Sequence, residues 1–477
     1  MSAIIGNSCD LLVIGAGPGG YIAAIRAAQN GLKTVVVDKD ERPGGTCLLR
    51  GCIPTKALLE AASLFESVQG AAEFGVMAER VRFDWAQVNR RKAKVVEKNS
   101  NGVRFLFRKN HIEQVAGSAR LAGAGEVEVT AADGQKRRLS ARHVLIASGS
   151  APRLLGLAPP DGRRVFTSDE LLEIDEVPRS LVVVGAGAVG VEFASIYQRF
   201  GAKVTLVEML PRLAPLEDHE VSAELERCFR RRKVEIRTST SLADVQVGAD
   251  EVELTLQAEG KPSERVRAQA LLVAVGRRPV SENLGLEEIA GVQVESGYVQ
   301  VDGLCRTGAP WLSAIGDVVR VGGRPHPQLA HIASAEGVLV ADRLAGKPVE
   351  PIDYDRQTIN ATFSDPEIAS VGYTEARARE RFGAVRVGKF PYQAIGKAAV
   401  TGRHEGFIKV VAAEEHDELL GVHIIGERAT ELIHEAAVAL RLESTSEELW
   451  RTIHAHPTLS EGVMEAAHAV GGKALGA

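Results

Sequence analysis

The residues best suited to covalent chemistry lie in one stretch, Gly44-Gly-Thr-Cys-Leu-Leu-Arg-Gly-Cys-Ile-Pro-Thr-Lys56. Cys47 and Cys52 stand five residues apart, flanked by glycines and followed by a helical pattern from Lys56 to Leu64. On an ideal helix, residues five apart are rotated by about 140° and separated by about 7.5 Å along the axis. A disulfide needs a Cα separation of roughly 4.4–6.8 Å. A bond between the two therefore requires a distorted first turn, which Gly44, Gly45 and Gly51 accommodate. Two other readings stay open at this point. The pair can be two buried structural cysteines. It can also be half of a zinc site, the weakest reading, because no second Cys or His pair at ligand spacing is nearby.

A redox pair needs an electron acceptor held against it, and the chain offers two places to hold one. Asp10-Leu-Leu-Val-Ile-Gly-Ala-Gly-Pro-Gly-Gly20 reads as a buried strand and a glycine turn. A helix to Asn30 and a strand from Thr34 to Val37, ending at Asp38, are expected to follow. The pattern returns at Leu181-Val-Val-Val-Gly-Ala-Gly-Ala-Val-Gly190, ending at Glu208. Gly15, Gly17 and Gly20 in the first copy match Gly185, Gly187 and Gly190 in the second. The acid lies 23 residues beyond the first glycine in both (15 to 38, 185 to 208). In such a loop the first glycine permits the turn, the second admits a pyrophosphate, and the third lets helix pack on strand. The helix N-terminus faces the phosphates and the acid accepts the ribose hydroxyls. Two dinucleotides are therefore expected. Glu208, followed by Met209 and Leu210 rather than arginines, favours NAD over NADP at the second loop.

Composition agrees with α/β architecture. The 477 residues are 45% hydrophobic and 25% charged, with 48 glycines and a net charge of −5. That length should hold about three or four domains. No basic excess points to nucleic acid or an anionic membrane surface. No apolar run is long enough to span a bilayer. Met1 to Cys9 carries no targeting pattern, so a cytoplasmic location is the expectation. The five cysteines (Cys9, Cys47, Cys52, Cys228, Cys305) are an odd count in a long chain, which argues against a secreted disulfide scaffold.

Further along, residues 58–115 read mostly as helix, and Val127 to Thr130 and Arg138 to Ile146 as strands. Ala147-Ser-Gly-Ser150 closes a first segment, and the second dinucleotide domain ends near Gly276-Arg-Arg-Pro279. Ala314-Ile-Gly-Asp317 reads as an apolar strand ending in Gly-Asp. From about 351 strands at Ile359 to Phe363, Phe407 to Ala412 and Leu419 to Ile425 surround helices, with no phosphate loop. The tail holds Ile453-His-Ala-His-Pro-Thr-Leu-Ser-Glu461, where Thr458 to Glu461 reads as a capping box.

With the CxxxxC pair, two dinucleotide loops and His456-Pro457 near the end, the chain resembles the flavoprotein disulfide oxidoreductases, the class I pyridine nucleotide-disulfide enzymes. Among them it is most similar to the dihydrolipoamide dehydrogenases, over roughly residues 8 to 470. The resemblance implies two Rossmann-like domains and a C-terminal α+β dimerisation domain. It divides the chain into 1–150 (FAD-binding, with the redox disulfide), 151–279 (NAD-binding), 280–350 (return to the FAD domain) and 351–477 (interface). It implies FAD at Gly15, Gly17, Gly20, Asp38, Lys39, Gly45, Thr46, Lys56, Gly117, Ser148, Gly149, Asp317, Leu329, Ala330 and His331. NAD would use Gly185, Gly187, Gly190, Glu192, Glu208 and Gly276. No metal is implied. Cys52 would face the flavin, Cys47 would exchange with a lipoyl disulfide, and Lys56 would pair with Glu192 beside the flavin ring. A homodimer is implied, in which His456, as base, and Glu461 serve the partner's disulfide. The proline after His456 selects it over His454. The substrate would be a lipoyl-carrying protein.

The chain departs from that pattern at Asp38, where Glu is usual, and at Arg50, where a small apolar residue is usual. Arg50 would stabilise a thiolate, meet an acidic carrier or simply be solvated. Leu329-Ala-His-Ile332 replaces Leu-Ala-His-Lys after an enlarged loop, Arg320 to Gln328. The other readings of the same scaffold are a glutathione- or mercuric-reductase-like enzyme and a flavoprotein without turnover. Glu208 opposes the first, and the cysteine-free segment 470–477 opposes the second. Intact Cys47, Cys52, His456 and Glu461 disfavour the third.

Overall fold

The computed structural model describes residues 8–472 and 474–476. Residues 1–7, part of the segment without a targeting pattern, lie outside these. The chain divides into two compact units. The first takes the chain up to Ala57, with Asn89–Arg153 and Arg277–Ile352; the second takes Leu58–Val88, Leu154–Gly276 and Asp353 onward.

The first unit is built on strand β1 (Ser8–Ile14), helix α1 (Pro18–Gln29) and strand β2 (Thr34–Asp38). Leu11 to Ile14 and Val35 to Val37 are all buried, as a parallel strand covered on both faces requires. Among the described residues the sheet has seven strands. The long strand Lys136–Ile146 does two jobs. Its first half pairs antiparallel with Glu126–Thr130, and its second half runs parallel to β1. Leu312–Ala314 then adds parallel to its last three residues, delivering Asp317 to the strand ends. The helix Ala330–Leu344 crosses α1 closely and is tied to it by the Arg26–Asp342 ion pair at 2.7 Å.

The segment 58–115 is mostly helix, as expected, in two helices with a break between them. Helix α3 (Cys52–Gln69) is followed by a left-handed Gly75, and a second helix spans Trp85–Lys109. His111, at φ +55°, turns the chain out of helix, and Glu113–Ala116 joins β2 as the edge strand. An edge strand this short and polar has no alternation to announce it.

The second unit repeats the strand–loop–helix–strand theme in Ser180–Val184, Ala188–Arg199 and Lys203–Val207. These lie in a five-stranded parallel sheet ordered 235–237, 203–207, 180–184, 270–273, 165–166. It also holds a five-stranded antiparallel sheet ordered 359–362, 367–372, 419–426, 407–413, 385–391. Its second and last strands in that order were not visible in the sequence. A buried ion cluster joins the two sheets' surroundings. Lys409, fully buried on the antiparallel sheet, meets Asp218 at 3.0 Å, Glu220 at 2.7 Å and Glu375 at 2.8 Å. Asp218 also caps the helix His219–Arg231 through the Glu220 N–H. Removing the cation leaves Asp218 charged and 1% exposed. Lys409→Met is expected to lower stability by about 3–5 kcal/mol, read as a fall in the urea midpoint.

Candidate functional site

The two glycine loops are built alike atom by atom. Gly15 and Gly185 adopt φ of +108° and +102°. A Cβ on Gly20 would lie 1.9 Å from the Gly15 carbonyl oxygen, and one on Gly190 1.8 Å from that of Gly185. Only glycine permits this approach of helix to strand. The acids close both loops in the same way. Asp38 Oδ2 accepts the Ala16 N–H, and Glu208 Oε2 accepts the Ala186 N–H at 2.7 Å. Their second oxygens accept N–H groups two residues on, from Asp40 and Leu210, each at 2.8 Å. The shorter Asp38 thus makes the bonds that Glu208 makes. Burial pushes the Asp38 carboxyl up, against the Ala16 N–H and the charges of Lys39 and Arg50, which pull it down.

Both helices behind these loops begin at a glycine with no side-chain cap and no acid in the first turn. The N–H groups of their first turns, which start at Gly19 in α1 because Pro18 has none, face the loop side where an anion would sit. Beside Glu208, Arg212 donates to the Pro215 carbonyl at 2.9 Å.

The cysteines sit directly on the first loop. Cys47 lies within helix α2 (Gly45–Arg50) and Cys52 opens α3; the break falls at Gly51, whose φ/ψ of −144°/−110° is not helical. This is the distorted turn the spacing demanded. A Cβ on Gly45 would lie 2.6 Å from the Gly17 Cα, and the Gly44 N–H donates to the Ala16 carbonyl at 2.9 Å. Cys47 and Cys52 share a side-chain hydrogen bond. That bond, then burial and the charge of Cys52, drive the Cys47 thiol far above its ordinary value, while Lys56 pulls it down. Among the described residues no group of three or more His, Cys, Asp or Glu is arranged to hold a metal.

Two residues of this site, Tyr21 and Arg277, were given no role in the sequence reading. Tyr21 on α1 has its hydroxyl pushed up by burial and by the charges of Cys47 and Cys52. Arg277 donates through Nε to Ser150 Oγ at 2.6 Å, and through Nη2 to the Ser150 carbonyl at 2.8 Å and Thr46 Oγ1 at 3.5 Å. Ser150 Oγ in turn donates to Asp317 Oδ2 at 2.5 Å. Arg277 was legible only as part of a domain-ending Gly-Arg-Arg-Pro. Arg50 pairs with Asp40.

The remaining expected residues fall in three places. In the first unit Gly117 donates to the Asp38 carbonyl at 2.8 Å, Ser148 to the Val280 carbonyl at 2.5 Å, and Gly149 is left-handed at φ +70°. Leu329 caps, and Ala330 and His331 open, the helix 330–344, with His331 exposed. In the second unit Glu192 is 6% exposed and accepts the Phe363 N–H at 2.9 Å. Gly276 is left-handed at φ +101°. Lys56 and Glu192 belong to different units.

His456 and Glu461 lie in the second unit, at the start of the helix Glu461–Val470. His456 Nδ1 is 2.9 Å from Glu461 Oε1, and Oε2 accepts the Thr458 N–H at 2.8 Å. Half of the expected capping box is thus present: Ser460, not Thr458, is the N-cap. Burial pushes the Glu461 carboxyl up; the Thr458 N–H, His456 and the charge of His454 outweigh it and hold it below its ordinary value. A proton on Nδ1 facing a carboxylate leaves Nε2 as the basic nitrogen, on a side chain that is 78% exposed.

Two dinucleotide loops, a dithiol against one of them and a histidine–carboxylate pair agree with comparison to known proteins. Residues 9–337 match the pyridine nucleotide-disulphide oxidoreductases, and residues 358–467 match the dimerisation domain of those enzymes. The chain belongs to that family. It is 44% identical over 460 residues to the dihydrolipoyl dehydrogenase of Chlorobaculum parvum, covering 96% of each chain. It is 41% identical over 476 residues to that of Bacillus subtilis, covering 98% of each. A crystal structure of LpdA from Mycobacterium tuberculosis superposes with a TM-score of 0.88 at 29% identity, over 97% of this chain and 99% of that one.

The cofactors are FAD and NAD, and the loops fit them. A Cβ on Gly187 would meet nothing within 4 Å, so the second loop has open space where a pyrophosphate would approach. At the first loop Arg277, Ser150 and Asp317 form a polar cluster beside the dithiol. With FAD at this loop, Arg277→Met strands Ser150 and Asp317 and is expected to weaken flavin retention about tenfold or more. Equilibrium dialysis followed by flavin absorbance measures it.

Proposed function

We propose that this chain oxidises a protein-bound dihydrolipoyl group with NAD as the final acceptor. The observation that carries the reading is the dithiol, Cys47 and Cys52 sharing a hydrogen bond on the first dinucleotide loop. FAD belongs at that loop and NAD at the loop of Gly185, Gly187 and Gly190, with Glu192 and Gly276 flanking it. When bound, FAD supplies the two-electron carrier between the dithiol and NAD.

The chain's own residues have three tasks. In the oxidised protein Cys47 and Cys52 form a disulfide. A dihydrolipoyl thiolate attacks Cys47, forming a mixed disulfide and releasing Cys52 as thiolate. The second dihydrolipoyl sulfur then displaces Cys47, leaving lipoyl disulfide and the reduced cysteine pair. His456 Nε2 takes the dihydrolipoyl proton, and Glu461 holds the ring with Nδ1 protonated and balances the imidazolium. Lys56 lowers the cost of negative charge on the sulfurs.

The dimerisation domain supports a homodimer in which each chain lends His456 to the other's cysteines. A two-fold axis then produces two equivalent sites. The substrate carrier is a lipoylated protein in the cytoplasm. A pull-down that recovers lipoylated proteins names it.

Cofactor choice gives the test. Glu208 accepts ribose hydroxyls and repels a 2′-phosphate. The purified yellow protein is expected to reduce lipoamide with NADH, with a specificity constant at least about a hundredfold above that for NADPH. Glu208→Ala with an arginine introduced at Met209 should narrow that gap. Failure to reduce lipoamide, or equal constants for the two nucleotides, refutes the proposal.

A further inference from the structure

Two residues before His456, on the same segment, His454 is buried where His456 is exposed: its side chain is 5% accessible against 78%. Its ring is gripped from both ends. Nδ1 lies 2.7 Å from the Thr452 carbonyl oxygen, and Nε2 lies 2.5 Å from Glu435 Oε1. A carbonyl has no proton to give, and a carboxylate only accepts. With Glu435 ionised, both contacts are hydrogen bonds only when both ring nitrogens carry protons.

The surroundings favour that state. Thr452 caps the helix Ser446–Arg451, so the ring sits at the carbonyl end of a helix, where a cation is stabilised. Glu435 comes from the helix Ala429–Arg441, and Glu461 faces the ring from the helix Glu461–Val470. His456 is the other titratable group of the segment. The hydrogen bond to Glu435 raises the affinity of His454 for its proton; burial opposes it, and the Thr452 carbonyl with the charges of Glu435 and Glu461 reinforces it.

We propose that His454 is a fixed imidazolium that pins the segment carrying His456 to two helices and sets a standing positive charge beside Glu461. This rests on the reading of His456 as the base. His454 is a positioning residue, since its ring is committed to Glu435 and Thr452. Its charge keeps Glu461 ionised, and it opposes a second positive charge on His456. The base therefore gives up the substrate proton after each turnover instead of retaining it.

Three variants of the full-length, FAD-loaded protein test this: His454→Gln, His454→Lys and His456→Ala. The direct readout is ¹⁵N NMR of histidine-labelled protein, with the His454 signals assigned by their loss in His454→Gln. Both ring nitrogens of His454 should remain protonated at pH 7.5; a singly protonated ring overturns the proposal. The second readout is lipoamide turnover against pH. In His454→Gln the acid limb should move to higher pH by about half a unit or more, so turnover falls more at pH 6.5 than at pH 8.5. His454→Lys, which restores the charge, should return the limb towards wild type. A His454→Gln profile that only scales down, with no displacement, overturns the electrostatic role. Separately, His456→Ala that still turns over refutes the base assignment, while the NMR result continues to decide the state of His454.

Discussion

The backbone of Gly45 lies against that of Gly17, and much of the first unit follows from that contact. It joins the first residue of the helix carrying Cys47 to the glycine that would face a pyrophosphate. No side chain fits on Gly45: a Cβ there would stand 2.6 Å from the Gly17 Cα. The cysteines are thus fastened to the dinucleotide loop through main chain, not through side chains that rotate. The break at Gly51 is the local consequence, since Cys52 can face Cys47 only where the helix stops and restarts. Rigid backbone is what a two-electron exchange between neighbouring groups needs.

The second loop shows what the first one adds. Gly15 and Gly185, Gly20 and Gly190, Asp38 and Glu208 occupy matching geometry down to the N–H groups their carboxylates accept. The difference lies at the middle glycine. Gly17 meets Gly45, whereas Gly187 has nothing within 4 Å. One loop is built into a covalent site and the other is left open. That is the division of labour expected of a tightly held cofactor and an exchanging one.

The loops and the cysteine pair were legible in the sequence because their geometry is local. Glycine spacing dictates the turn, the acid's distance from it is fixed by one helix and one strand, and five residues between cysteines force a break. What stayed hidden depends on partners distant in the chain. Arg277 reaches Ser150 and Asp317 only after Leu312–Ala314 pairs with Lys136–Ile146. Edge strands such as Glu113–Ala116 have too little apolar pattern to be seen alone. His454 and His456 look alike in sequence and differ in structure, because one ring finds Glu435 and the other is left exposed.

The central claim is that the cysteines of one subunit work with the histidine of another, and a mixed dimer tests it most directly. Cys52→Ser and His456→Ala chains, each nearly inactive as a homodimer, are co-expressed with different tags and the mixed dimer is isolated. Shared sites place both lesions in one site and none in the other, so about half of the wild-type turnover per dimer should return. A mixed dimer that retains its FAD and stays inactive would contradict the account.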